Sequence, residues 1–127
     1  MLFETYVPGE GKNPAHDALC AMMDGFDVGK SYADMMRLRI AGGAASVCND
    51  RYYVAHENGK AASRLWRGWG NHADAIGNWG NFYTDPAQRG NGWGGALLQL
   101  WYGEFCTAKE LPLCFLCTTG SPAIAAL

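Results

Sequence analysis

From Asp85 to Leu98 the chain reads Asp-Pro-Ala-Gln-Arg-Gly-Asn-Gly-Trp-Gly-Gly-Ala-Leu-Leu, and four of the six positions from Gly90 to Gly95 are glycine. Glycine costs a helix about 1 kcal/mol relative to alanine, so helix propensity does not explain that density. Glycines instead let the main chain pass close to a ligand and turn several N–H groups towards one point. The first turn of a following helix adds its partial positive charge there, and a phosphate is the natural occupant. Such a loop needs a strand before it and a helix after it. Trp79, Asn81, Phe82 and Tyr83 supply the strand, which Pro86 closes. Leu97, Trp101, Phe105 and Ala108 mark one face of a helix running to about Lys109. Arg89, at the loop entrance, suits a charged contact to a phosphate and equally a pairing with a nearby carboxylate.

Two nucleotide-binding patterns compete for the same string. Gly90, Gly92 and Gly95 satisfy G-x-G-x-x-G, but a dinucleotide fingerprint follows the first strand of a β-α-β unit and leaves room for an acidic ribose ligand and further strands. Here the pattern begins at residue 90 of 127. No Lys-Ser or Lys-Thr follows the glycines, so the P-loop pattern fails as well. A glycine-rich turn without any ligand is the plain alternative, and it would leave several amides unpaired.

Upstream, Leu2 to Val7 reads as a short strand stopped by Pro8-Gly9. Asn13 is placed to cap a helix with Pro14 at its first position, and Ala15, Leu19, Met22, Met23 and Phe26 recur at the spacing of one buried face. Gly25 and Gly29 end it. A second helix is expected from Ser31, with Asp34 completing a capping-box-like pair, through Tyr32, Met35, Met36 and Ile40 to a stop at Gly42-Gly43. Val47 to His56 and Ala61 to Trp69 flank Glu57-Asn58-Gly59-Lys60, and Asn-Gly between apolar stretches is a strong hairpin signal. Past the signature helix come an apolar strand, Leu111 to Cys117, and a helix beginning at Ser121-Pro122. These elements are expected to form one domain, residues 1–127, of α/β class.

Ten Lys and Arg against twelve Asp and Glu give a formal net charge of −2, with no run of like charge. Nucleic acid and anionic membranes are poor partners for such a surface, because phosphate binding over an extended face needs a basic stripe. The longest apolar runs fall far short of the roughly 20 residues a membrane span requires, and a soluble, cytoplasmic protein is the expectation. The five cysteines, an odd and unevenly spaced set, argue against a secreted disulfide framework. Cys114 and Cys117 form a lone C-x-x-C inside an apolar run with no second pair, so buried thiols are expected there and no metal site. His16 and His56 stand apart from Cys and carboxylate clusters and read as surface or hydrogen-bonded core histidines. Trp66, Trp69 and Trp79 read as packing residues on or beside strands.

The loop and its flanks resemble the GNAT superfamily of N-acetyltransferases. Arg89, Gly92 and Gly94 fill the family's acetyl-CoA signature, R/Q-x-x-G-x-G/A, in register, with Pro86 before it and Leu97-Leu98 as the aliphatic pair of the helix. The order of elements agrees: strand, two helices, antiparallel strands, signature helix, strand, helix. The resemblance implies a GNAT-like mixed, mostly antiparallel sheet flanked by helices, with acetyl-CoA as co-substrate and an amine, of a small molecule or a peptide, as acceptor. By resemblance, main-chain groups of Phe82, Tyr83 and Thr84 pair with the pantetheine arm where strands four and five splay apart. Amides from Arg89, Gly90, Asn91, Gly92, Trp93, Gly94 and Gly95 hold the pyrophosphate, and Ser121 belongs to a later coenzyme-binding segment. Direct attack of the amine on the thioester then needs positioning and a route for a proton, with no covalent intermediate on a cysteine.

Several positions depart from the family pattern. Trp93 stands where a small or branched aliphatic residue is usual, and strand four carries no Glu to act as base. His72 and Asp74 in the preceding loop and Asp85 at the strand end are the available proton acceptors, each also explained as a solvated loop residue. Ser121, Ile124 and Leu127 resemble the family's N-x-x-A-x-x-L-Y segment, and its thiolate-protonating Tyr would be the residue after Leu127. The rest of that helix and the last two strands are likewise expected to be missing. A fragment, or a chain completed by a second copy in a homodimer, is the expectation, since an apolar strand without an onward partner is a sticky edge. The rival functional readings are a GNAT-like module that binds coenzyme A or a partner without catalysis, and a nucleotide-binding oxidoreductase fragment, against which the Asn58-Gly59 hairpin speaks.

Overall fold

In the computed structural model, which describes residues 1–23, 30–72, 74–107 and 114–116, five strands form one sheet in sequence order. They are β1 (Leu2–Tyr6), β2 (Cys48–Glu57), β3 (Lys60–Gly70), β4 (Gly77–Thr84) and β5 (Cys114–Leu116). β1 to β4 pair antiparallel, and β5 runs parallel to β4. The helices are α1 (Pro14–Met23) and α2 (Lys30–Ile40), between β1 and β2, and α3 (Trp93–Thr107), which follows β4. No helix among the described residues is long and apolar enough to cross a membrane.

Local chemistry sets most boundaries. The Asn13 carboxamide oxygen accepts from the Ala15 amide at 3.1 Å while its nitrogen donates to the Thr5 carbonyl at 3.1 Å, so one side chain caps α1 and ties it to β1. α2 already includes Lys30, which puts Ser31 inside the helix instead of at its cap; a helix is read a residue or more too late when a good capping type lies just inside it. Its other end is the glycine pair. Gly42, at φ 92°, donates to Arg39 O at 3.0 Å and Gly43 to Leu38 O at 2.9 Å, the paired bonds of a Schellman stop. Asn58 and Gly59 take φ 51° and 76°, the left-handed pair of a type I′ turn, whose twist matches that of β2 and β3.

β2 is covered on both faces, and its alternating side chains divide the core in two. Tyr52 and Val54 pack with Tyr6 under Ala15, Leu19 and Met23 of α1 and Met36 and Ile40 of α2. Tyr53 and Ala55 pack with Leu65, Trp79 and Leu97 under α3. The methionine-rich helices are therefore core, except that Met35 is 43% exposed because Ala33, Met36 and Ile40 make the inward face. His16 and His56 are both buried and paired with acidic neighbours, Asp17 and Glu4. Cys20, Cys48 and Cys106 are free thiols. Phe26, Gly25 and Gly29, the proposed end of the strand at Cys117 and the helix expected from Ser121 lie outside the described residues.

Candidate functional site

Midway along β4 the ladder with β3 slips. Arg64 faces Tyr83 and Trp66 faces Gly80, so Asn81 and Phe82 together oppose Leu65. That is a β-bulge, and Asn81 bears its strain at φ 48°. Its carboxamide oxygen accepts from Arg64 Nε at 3.0 Å. On the other edge, pairing with β5 runs from Gly77 to Trp79 and, among the described residues, does not extend to Asn81–Thr84.

Beyond the bulge the strand end is held from the β3 side. Ser63 Oγ lies 2.9 Å from Thr84 Oγ1 and donates to Tyr83 O at 3.1 Å, and the Asp85 amide donates to Ala62 O at 2.9 Å. Asp85 then starts a 3-10 turn, Pro86–Gln88, its carboxylate accepting from the Ala87 amide at 2.8 Å. Arg89 Nε donates back to Thr84 O at 3.1 Å, with the guanidinium 5.9 Å from the Tyr83 ring centre. The carboxylate pairing considered for Arg89 is replaced by this main-chain bond, which folds the loop onto the end of β4.

Gly90 and Gly92 take φ 83° and 80° with open space where a side chain would stand, so main-chain conformation is what requires glycine at both. Gly94 is glycine for space, because an added Cβ would lie 2.8 Å from Phe82 Cζ and 3.2 Å from Thr84 Oγ1. The first amide after the loop with a main-chain acceptor is that of Ala96, which donates to Gly92 O at 3.0 Å. Among the described residues no acceptor takes the amides of Gly90 through Gly95. A run of unclaimed donors thus lies at the first turn of a fifteen-residue helix, where the positive end of the helix dipole also falls. Trp93 does not add its ring to that surface. The indole packs against Phe3, centroids 6.0 Å apart, and joins the α3 core, so what it can offer a ligand is its amide.

The three proton-acceptor candidates are not gathered. His72 and Asp74 are exposed in the turn before Gly77, while the glycine loop leaves from Thr84; at about 3.3 Å per residue the length of β4 separates them. Asp85 adjoins the loop, with one oxygen spent on the cap. Ser121 lies outside the described residues.

Motif and periodicity do not single out Arg64 and Arg67, yet both are fully buried. Arg64 points to the α1 side, where Nη1 donates to Met22 O at 3.4 Å and the guanidinium lies 4.8 Å from the Tyr83 ring centre. Burial pushes its pKa down to about 10. Arg67 points to the α3 side, 4.6 Å from the Trp69 ring centre and 4.0 Å from the Glu104 carboxylate, which also pairs with Arg51. The signals that could have found them are charged residues in a strand covered on both faces, and Gly80-Asn81 in mid-strand, a pairing typical of bulges.

No protein-family model matches the chain, and no curated protein sequence does. Solved structures do match in shape. A predicted acetyltransferase from Clostridium acetobutylicum, solved with acetyl-CoA, superposes at a TM-score of 0.60 with 13% identity over 94% of this chain and 82% of its own. A GCN5-related N-acetyltransferase from Ralstonia eutropha gives 0.55 with 22% identity over 89% and 80%. The aminoglycoside 6′-N-acetyltransferase of Acinetobacter haemolyticus gives 0.57 with 11% identity over 99% and 85%. At these identities the likeness is one of fold, and the fold of this chain is the α/β fold of the GNAT acetyltransferases.

Proposed function

We propose that the chain binds acetyl-CoA and transfers its acetyl group to an amine by direct attack on the thioester. The observation that carries this reading is the unclaimed run of amides from Gly90 to Gly95, lying beside the stretch of β4 that follows the bulge. The amides from Arg89 to Gly95 take the pyrophosphate, assisted by the α3 dipole. Main-chain groups of Phe82, Tyr83 and Thr84 take the pantetheine arm as an added strand, and Ser121 is assigned to the same coenzyme. The acceptor class is a small-molecule or peptide amine, the choice that the aminoglycoside-modifying neighbour supports. Catalysis by such a site is mainly alignment of the two reactants, for which no nucleophilic residue is needed. His72, Asp74 and Asp85 are the proton acceptors proposed to act through water.

A second reading, coenzyme binding without turnover, draws support from the placement of those three residues: two lie at the far end of β4 and the third caps a turn. Calorimetric titration with acetyl-CoA and with desulfo-coenzyme A tests the shared part of both readings. Micromolar binding to the wild-type chain, lost in Gly92→Val, is expected, and no binding by the folded wild type would overturn them together. Thiol release with a panel of amines then separates transfer from binding alone.

A further inference from the structure

Asn81 is a non-glycine residue held in a left-handed conformation inside a strand. Left-handed backbone is costly for an L residue, and it persists only where the surroundings impose it. Among those surroundings one side chain bonds the Asn81 carboxamide directly. Arg64 is fully buried, its Nε on the Asn81 carboxamide oxygen at 3.0 Å, its Nη1 on the Met22 carbonyl in the last turn of α1 and its guanidinium over Tyr83. Burying a guanidinium is expensive, as its lowered pKa reflects, and apolar residues would fill the same space at less cost. We infer that Arg64 is a positioning residue, which braces Asn81 in its bulge and so sets the course of Phe82–Thr84.

This inference rests on the coenzyme reading above and deepens it. With Asn81 relaxed to ordinary strand geometry, the register beyond it would slip by one residue, and successive residues of a strand face opposite sides. Phe82 would leave its place beneath Gly94, and the pairing of Ser63 with Thr84 would be lost. The edge offered to the pantetheine arm would change with them. The same guanidinium also links the end of α1 to this edge, its Nη1 donating to Met22 O.

The test is the affinity for desulfo-coenzyme A, measured by calorimetry on chains whose folding is verified by thermal unfolding. Asn81→Gly keeps access to positive φ without the carboxamide, and Asn81→Ala loses both. Asn81→Ala is expected to bind about tenfold more weakly than Asn81→Gly, the scale of holding a non-glycine residue in left-handed backbone. Arg64→Met is expected to weaken binding about tenfold in the wild-type background and to have little effect in the Asn81→Gly background, where no strained carboxamide needs bracing. Equal binding by the Ala and Gly variants would overturn the brace, and so would an Arg64→Met penalty of the same size in both backgrounds. If Arg64→Met does not fold, Arg64→Lys, which keeps the charge but loses the Nε donor, is measured in both backgrounds with the same contrast expected. Absence of binding by the wild type would overturn the coenzyme reading and the brace with it, an outcome distinct from wild-type binding that is indifferent to residue 81.

Discussion

Gly94 and Phe82 are in contact in a way that admits no side chain between them: a Cβ at Gly94 would stand 2.8 Å from Phe82 Cζ. The first turn of α3 therefore rests directly on the end of β4, and this close approach sets the amides of the glycine loop beside that strand. Gly94→Val is expected to push ring and helix apart, costing about 1–3 kcal/mol of stability and abolishing coenzyme binding. Gly95, where an added Cβ meets nothing within 4 Å, is the internal comparison. Gly95→Ala is expected to hold or gain stability in urea unfolding, because alanine is the better helix former. Equal losses at the two positions would remove the steric explanation.

Glu104 stands between two arginines of the sheet, pairing with Arg51 and lying 4.0 Å from the fully buried Arg67. Removing a carboxylate from a buried cation costs more than the pair itself contributes, since the charge that remains is desolvated without compensation. Glu104→Gln is expected to lower the unfolding free energy by about 3 kcal/mol, while the double variant with Arg67→Met recovers most of the loss. Additive losses in the double-mutant cycle would mean that the two groups do not sense each other.

The fold and the shape of the glycine loop were legible because each rests on local rules. Asn13-Pro14, Gly42-Gly43 and Asn58-Gly59 act through neighbours within a few residues, and the structure uses all three as helix cap, helix stop and turn. The glycine loop was legible for the same reason, although one string hid two causes, main-chain conformation at Gly90 and Gly92 and lack of space at Gly94. What the sequence concealed is non-local. Arg64 and Asn81 are seventeen positions apart, and Arg67 and Glu104 thirty-seven; no periodicity announces that such groups meet. Trp93 is non-local in the same way: the sequence marks it as a departure from the family pattern, and its ring packs on Phe3 at the other end of the chain.

Stability should fall in strong alkali. Burial pushes the Tyr53 phenol up to about 12, with the Glu104 carboxylate adding to the rise, and burial raises Tyr52 and Tyr6 as well. A phenol raised in the folded state keeps its proton after the unfolded chain has released one near pH 10, so its contribution is full below about pH 10 and is lost as pH climbs through the folded value. Arg64 acts with the opposite sign, because its guanidinium is lowered to about 10 and the unfolded chain holds that proton longer. Three raised phenols against one lowered guanidinium give a net loss between about pH 10 and 12. Tyr53→Phe is expected to flatten the decline, read from urea midpoints across that window with phenolate absorbance followed in parallel. A midpoint that rises with pH would contradict the assignment of the buried phenols.

Asp50 joins three elements through one carboxylate. Buried on β2, it accepts from Arg39 at the end of α2, through Nε at 2.9 Å and Nη2 at 2.6 Å, and from the Trp66 indole on β3 at 2.8 Å. The Arg39 guanidinium also lies 5.1 Å from the Trp66 ring centre, so cation, indole and carboxylate form one closed group. Gly68 gives that group its room, since an added Cβ would meet Trp66 Cζ2 at 2.5 Å and Asp50 Oδ1 at 2.7 Å. Gly68→Ala is therefore expected to cost about 1–3 kcal/mol without removing a single polar atom, and Asp50→Ala about 3 kcal/mol by leaving Arg39 and the indole without their acceptor. Because both act on the same group, their combined cost should fall short of the sum, and Trp66 fluorescence should shift in each variant. Strict additivity in urea unfolding would show that Gly68 is glycine for a reason unconnected with Asp50.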